Sequence, residues 1–88
     1  MKIKEGFVLR QVADSWMAVP VGGMAESMKG LIALNETAAD IWNILQDEHS
    51  QEEVVDILTL AYDVERSVLE ESVRDFLAEL DQKGILTR

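Results

Sequence analysis

The hydrophobic pattern of this 88-residue chain changes period at Asn35. Before this residue, Leu31–Leu34 is a compact apolar run that is typical of a buried β-strand. Asn35 itself is a preferred helix N-cap residue. After it, apolar side chains recur at helical spacing, at Ala38, Ile41, Trp42 and Leu45. The pattern therefore predicts a strand joined directly to an amphipathic helix, with Trp42 on the buried face of that helix.

Two further strands are predicted upstream of this junction. Residues 6–12 and 15–21 are rich in β-forming side chains, and Ala13-Asp14 between them is suited to a tight turn. Pro20 has no N–H to donate, so it is expected at the end of the second strand. Residues 22–29 are then expected to form a loop. Three strands joined by short links favour an antiparallel sheet whose first and third strands are its edges.

Two more helices are predicted in the carboxyl-terminal half. Ser50 and Glu53 have the spacing of a capping box, so a helix is expected from there to about Tyr62. Another is expected from about Glu65 to a stop at Gly84, with a buried stripe of Leu69, Val73, Phe76, Leu77 and Leu80. The chain is thus predicted to be one α+β domain over residues 1–88, with a three-stranded antiparallel sheet followed by three helices.

The charge of the chain disfavours two classes of partner. The net charge is −9, and residues 35–82 carry fourteen acidic side chains against only Arg66 and Arg74. Nucleic acids and anionic lipid both require Lys and Arg to neutralise phosphate, so neither is an expected partner. The amino terminus has no apolar signal-peptide core, and the chain has no cysteine and no run near the ~20 apolar residues of a membrane span. These features predict a cytoplasmic protein.

The sequence offers little support for catalysis. His49 is the only histidine and no cysteine accompanies it, so a zinc site is not expected. The carboxylates of the helices lack the spacing of a calcium loop. No nucleophile or phosphate-binding motif is present either. We therefore expect no enzyme activity, no metal and no cofactor.

Three motifs, taken together in their order, resemble the PqqD-like family. They are the Leu-Asn-Glu-Thr-Ala-x-x-Ile-Trp-x-Ile-Leu run over residues 34–45, the Ala-Tyr-Asp that closes the second helix at 61–63, and the Val-x-x-Phe-Leu-x-x-Leu-x-x-x-Gly-Ile-Leu run over 73–86. The resemblance covers nearly the whole chain. It implies a winged helix-turn-helix-like fold.

The resemblance also implies a function in natural product biosynthesis. Such domains act as recognition elements, or peptide chaperones, for ribosomally made and post-translationally modified peptides (RiPPs). The leader segment of the precursor adds as a strand to the third strand and is presented to a modifying enzyme such as a radical SAM protein. Carried over by position, the implied peptide-binding residues are Leu31, Ile32, Ala33 and Leu34 on the strand edge, and Val68, Arg74 and Leu77 on the third helix.

Several alternatives remain open from the sequence. The edge of the third strand is either free for a peptide or paired with a second copy of the chain in a homodimer. Arg74 is suited either to a peptide carboxylate or to an exposed pair with Glu70. A winged-helix nucleic-acid binder is the other functional alternative, although the acidic third helix argues against it.

Overall fold

The structure is a computed structural model that describes residues 1–28 and 30–88. It has five strands and four helices in these ranges. In chain order they are β1 (Lys2–Ile3), β2 (Phe7–Val12), β3 (Ser15–Pro20), α1 (Gly23–Ser27), β4 (Ile32–Leu34), α2 (Glu36–Ile44), α3 (Gln51–Ala61), α4 (Arg66–Gln82) and β5 (Leu86–Thr87).

The main sheet is antiparallel, with β3 between β2 and β4. It therefore confirms the predicted α+β class, and β4 is the third strand of the prediction. The two-residue turn Ala13-Asp14 joins β2 to β3 and aligns Val12 with Ser15. Side chains on one face of this sheet pack on the helices, and Trp16 packs there half-buried, directly opposite Leu34.

Two parts of the fold differ from the predicted order. The expected loop over residues 22–29 contains the short helix α1, which has no buried residue and so no apolar stripe to signal it; Lys29, at the end of that loop, lies outside the described residues. In addition, β1 and β5 pair as a separate two-stranded sheet. Strands of two residues carry no periodic pattern of their own, because a long-range pairing defines them.

The predicted helix caps are confirmed. The Asn35 side-chain oxygen accepts the Ala38 N–H at 2.8 Å at the start of α2. At the start of α3, Ser50 and Glu53 form a reciprocal capping box at 3.1 and 2.7 Å. The backbone N–H of Ser50 holds the pKa of the Glu53 carboxyl below its usual value. After α4, Gly84 adopts a φ of 72°, the left-handed conformation expected of a C-terminal stop.

The core lies between the sheet and the three long helices. Trp42 is 2% exposed, which confirms its predicted core position, and its ring meets Phe7 edge to face at a centroid distance of 5.3 Å. Helix α2 is central, since it contacts β3, β4, α3 and α4. The whole predicted stripe of α4 is buried, as are Ile85 and Leu86 behind it. No helix in the described ranges is both long and apolar enough to span a membrane.

Candidate functional site: an open strand edge beside a groove

Strand β4 has a neighbour on only one side in the described part of the chain. It pairs with β3 through Trp16–Leu34, Met17–Ala33 and Ala18–Ile32. Its other edge has no strand partner among these residues. Such an edge presents backbone N–H and C=O groups that a further strand can use.

The direction of the backbone groups in β3 follows from its pairing with β2. In a central strand, alternate residues direct their N–H and C=O groups to opposite neighbours. The Val21 N–H donates to the Gly6 oxygen at 2.8 Å, so the backbone N–H and C=O of Val21 point towards β2. Because this direction alternates, the backbone groups of Val19 and Met17 also point towards β2, whereas those of Trp16 and Ala18 point towards β4. Pro20, which has no N–H, then falls at a position where the pairing with β2 needs no donor.

The same alternation fixes which residue of β4 faces outward. Trp16 and Ala18 face β4, so they exchange hydrogen bonds with Leu34 and Ile32. Met17 faces β2 and therefore makes no such exchange with Ala33. Consequently the N–H and C=O of Ala33 point to the open edge, while those of Ile32 and Leu34 are used within the sheet.

A groove of about 320 Å³ runs between this edge and helix α4. Strand β4 and the start of α2 form one side and the floor, and two turns of α4 form the other wall. A volume near the low end of the roughly 300–1,000 Å³ of small-molecule pockets suits a few side chains of an extended peptide. The lining residues are Ala33, Asn35, Thr37, Ala38, Ile41, Ser72, Asp75, Phe76 and Glu79.

The wall on α4 is one face of a regular helix. Ser72, Asp75, Phe76 and Glu79 recur at spacings of three and four residues, so their side chains lie on the same side. Phe76 is 8% exposed and lies where the core meets the groove. Asp75 and Glu79 are exposed carboxylates further out. Asp75 lies 3.6 Å from Arg74 of α4, and Glu79 lies 3.6 Å from Lys83, the residue that follows the helix.

The predicted strand residues divide by exposure. Ile32 and Leu34 are buried at 3% and 4%, so their side chains belong to the core. Leu31 and Ala33 are exposed, and Leu31 keeps 60% of its surface accessible just before the strand begins. The edge thus offers the backbone of Ala33 and the apolar side chain of Leu31 to an incoming chain.

The three predicted residues on α4 do not lie together. Val68 is exposed and lies one turn before Ser72, on the groove side of the helix. Leu77 is 3% exposed and packs in the core, outside the groove lining. Arg74 is exposed on the far side of α4 and pairs with Asp75; Glu70 instead pairs with Arg66 at 3.6 Å.

Four groove residues of α4 are not among the peptide-binding residues predicted from the sequence: Ser72, Asp75, Phe76 and Glu79. The available signal is the position of the buried stripe, since Ser72, Asp75 and Glu79 all flank it on one side, whereas Leu77 lies at its other margin and Arg74 lies beyond that margin. The sequence does not say which flank faces β4, because the packing of α4 on the other elements sets the rotation of this helix.

A tyrosine–carboxylate contact joins the residue that follows α3 to α2. The Tyr62 hydroxyl donates to Asp40 of α2, three residues after the groove-lining Thr37. This hydrogen bond raises the pKa of the Tyr62 phenol above its usual value, and partial burial acts in the same direction. Among the residues that the structure describes, no group of three potential metal ligands comes together.

The fold and the site together define a class: a small winged-helix-like α+β domain with an open strand edge beside a groove. The chain belongs to the family described as coenzyme PQQ synthesis protein D (PqqD), whose profile matches residues 22–86. This match confirms the resemblance inferred from the three sequence motifs. A search of curated proteins finds no significant match.

Two solved structures are similar to this chain over almost its entire length. One is TbiB1 in complex with the TbiA(beta) leader peptide, with 28% identity and a TM-score of 0.72 over 98% of this chain and 94% of that chain. The other is a lasso peptide synthetase B1 complexed with the leader peptide, with 24% identity and a TM-score of 0.70 over 99% and 96%. The second likeness is one of fold alone. Both confirm the predicted fold class.

Proposed function

We propose that this chain is a non-catalytic module that binds the leader segment of a ribosomally made precursor peptide. The leader adds as a strand to the open edge of β4 and lies in the groove against α4. The observation that carries this proposal is the outward direction of the Ala33 N–H and C=O beside that groove. Backbone hydrogen bonds then supply affinity, and alternate side chains entering the groove supply specificity.

The comparisons support the same function. TbiB1, with 28% identity, is a protein whose structure was solved with a leader peptide bound. The family of this chain is named for a protein of coenzyme synthesis. We infer that the module presents its leader to a separate modifying enzyme in the cytoplasm, such as a radical SAM protein. Leu31, Ile32, Ala33 and Leu34 then form or support the binding edge, and Val68 contacts the leader from α4.

NMR titration with leader peptides encoded beside the gene for this chain tests the proposal. The amide signal of Ala33 is expected to shift and to become protected from hydrogen exchange, because its N–H gains an acceptor. The amide of Ile32 is already bonded within the sheet and serves as an internal control. Binding that leaves the Ala33 amide unchanged would contradict strand addition at this edge.

Homodimerisation through the same edge is a second candidate. The observation in its favour is the absence of a strand partner on the outer edge of β4 within the described chain. Two copies pairing edge to edge would satisfy the Ala33 groups equally well. Light scattering over a concentration series separates the two, since a dimer that dissociates when the leader is added indicates competition for one edge.

The nucleic-acid alternative finds no support in the charges of α4. Arg66 lies 2.8 Å from Asp56, and Arg74 lies 3.6 Å from Asp75, so both cations of this helix already face carboxylates. Acidic side chains also outnumber them along α4. A duplex would meet repulsion here, and a mobility-shift assay at low salt is expected to show no complex.

A further inference from the structure

The groove that is proposed to hold the leader is acidic along one wall. Asp75 and Glu79 lie one turn apart on α4, and none of the described residues lining the groove is basic. Their side chains keep 69% and 51% of their surface accessible, so both carboxylates can be reached from the groove. A bound segment therefore meets negative charge on the α4 side.

The existing ion pairs leave these carboxylates available. Asp75 and Glu79 are each 3.6 Å from a basic side chain nearby in sequence, Arg74 and Lys83, and all four side chains are substantially exposed. Exposed pairs of this length contribute little to stability, because water screens them and both side chains lose freedom. A cation on an incoming peptide can thus replace Arg74 or Lys83 without disturbing the fold.

The floor of the groove has the opposite character. It is formed by Ala38 and Ile41 of α2 together with Phe76 at the base of the α4 wall, and these residues are 9%, 1% and 8% exposed. These residues offer no charge and no hydrogen-bonding side chain. Covering this floor with an apolar side chain lowers the free energy of binding, because apolar surface leaves water. A charged side chain placed there would lose its hydration, which is unfavourable.

The repeat of an extended chain is close to the spacing of the two carboxylates. Side chains on one face of a strand lie about 6.6 Å apart, since each residue advances ~3.3 Å. Asp75 and Glu79 are separated by about 6 Å along the helix, since each residue rises 1.5 Å. Only every second side chain of an extended peptide faces the groove. The residue that meets the carboxylates and the next one that reaches the apolar floor therefore differ by two in the peptide sequence.

We propose that the groove selects a leader segment with a Lys or Arg and an apolar residue at alternate positions, the cation meeting Asp75 and Glu79 and the apolar side chain covering Ala38, Ile41 and Phe76. This inference rests on the proposed function, because it concerns the same groove. It names the chemistry of the ligand: a cationic, amphipathic extended segment.

Synthetic ten-residue peptides with a Ser and Thr background test this selection. Two central positions, two residues apart, are varied to give three peptides: one carries Lys and Leu, one Glu and Leu, and one Lys and Ser. The affinity of each for the protein is measured by fluorescence anisotropy at low and at physiological salt. The Lys-Leu peptide is expected to bind about fivefold to tenfold more tightly than either of the others. Its advantage over the Glu-Leu peptide is expected to shrink as salt rises.

Variants of the carboxylates provide the matched comparison. The double variant Asp75→Asn with Glu79→Gln is expected to bring the affinity ratio of Lys-Leu to Glu-Leu close to one. Glu71→Gln removes one exposed carboxylate of α4 outside the groove lining and is expected to leave the ratio unchanged. Circular dichroism confirms that each variant is folded.

The outcomes separate this inference from the proposed function. Peptides that shift the Ala33 amide but show no preference for Lys, or a preference that survives in the double variant, overturn the charge selection and leave strand addition standing. If no peptide of any composition, including the leaders encoded beside the gene, shifts that amide, both proposals fail.

Discussion

The Asn35 side chain accepts a hydrogen bond from the Ala38 N–H at 2.8 Å, and both residues line the groove beside β4. Asn35 directly follows the last residue of the strand and caps the helix that forms the groove floor. One side chain thus holds the strand edge and the floor in a fixed relation. The rigidity of the candidate site depends on this local contact as well as on the core beneath it.

Replacing Asn35 by Ala is expected to lower the free energy of unfolding by about 1 kcal/mol, because the first turn of α2 loses its acceptor. Urea denaturation followed by circular dichroism measures the change. Asn35→Asp keeps an acceptor, so its free energy of unfolding is expected to be close to that of the natural protein. Asn43→Ala, at an exposed position of the same helix, serves as the control. Equal effects of Ala and Asp at position 35 would contradict the capping role.

Replacing Ala33 by Pro is expected to abolish peptide binding in a folded protein. Proline removes only the N–H that points to the open edge, and edge positions tolerate it. The matched control is Gln11→Pro on the opposite edge of the sheet, where the same alternation also directs the N–H outward. Titration calorimetry with a leader that binds the natural protein measures both.

A further variant checks the assignment of backbone directions. Ile32→Pro removes a donor used between β3 and β4, so it is expected to reduce stability rather than binding alone. A stable Ile32→Pro protein that fails to bind, together with an Ala33→Pro protein that binds normally, would reverse the assignment.

The Tyr62–Asp40 hydrogen bond is expected to make stability fall at alkaline pH. The bond raises the pKa of the folded phenol above its usual value of about 10, while the unfolded chain keeps that usual value. Its contribution is therefore complete below pH ~10 and is lost as pH rises through the higher folded pKa. Thermal unfolding between pH 8 and 11 measures the loss of stability. Tyr62→Phe is expected to remove the part of the pH dependence that comes from this hydrogen bond.

The chain also allows a direct check of that pKa. Tyr62 is its only tyrosine, so the ultraviolet absorbance of phenolate formation reports this residue alone. The midpoint is expected above that of the urea-unfolded protein. A midpoint equal to or below the unfolded value would contradict the hydrogen bond to Asp40.

Leu77 and Arg74 are expected to respond very differently to substitution by Ala. Leu77 is 3% exposed, so its loss leaves a cavity that costs roughly 2–5 kcal/mol of stability. Arg74 is exposed and weakly paired, so Arg74→Ala is expected to change stability by less than about 0.5 kcal/mol. Chemical denaturation measures both, and a large effect of Arg74→Ala would indicate a contact beyond its pair with Asp75.

A binding role for Val68 is checked separately. Val68→Ser exchanges an exposed apolar side chain on the groove side of α4 for a polar one. We expect weaker leader binding at unchanged stability. Val64→Ser, at an exposed valine in the turn before α4, is the control. Equal binding by both variants would place the bound segment away from the first turn of α4.

Local sequence signals predicted the elements that have a pattern of their own. The period change at Asn35, the capping box at Ser50 and the apolar stripe of α4 each lie within one segment, and all three are confirmed. Strands β1 and β5 are two residues each and exist through pairing across the chain, which no local pattern encodes.

The sequence predicts the strand edge of the candidate site but not its helical wall, because the wall depends on packing between elements. The edge strand follows from the order of strands, and the structure places residues 32–34 in β4 with Leu31 just before it. The wall depends on how α4 is rotated about its own axis. Phe76 and Leu77 are adjacent in sequence and both buried, yet only Phe76 reaches the groove. Packing against other elements decides between them.

The outward backbone of Ala33 has a practical consequence for any mutational map of this domain. An alanine scan would skip position 33, because alanine is already there, and its results at Ile32 and Leu34 would report on core packing. A functional surface made of main-chain atoms is invisible to side-chain truncation. Replacing single amides by esters along β4, through chemical ligation of synthetic segments, is the experiment that would reveal it.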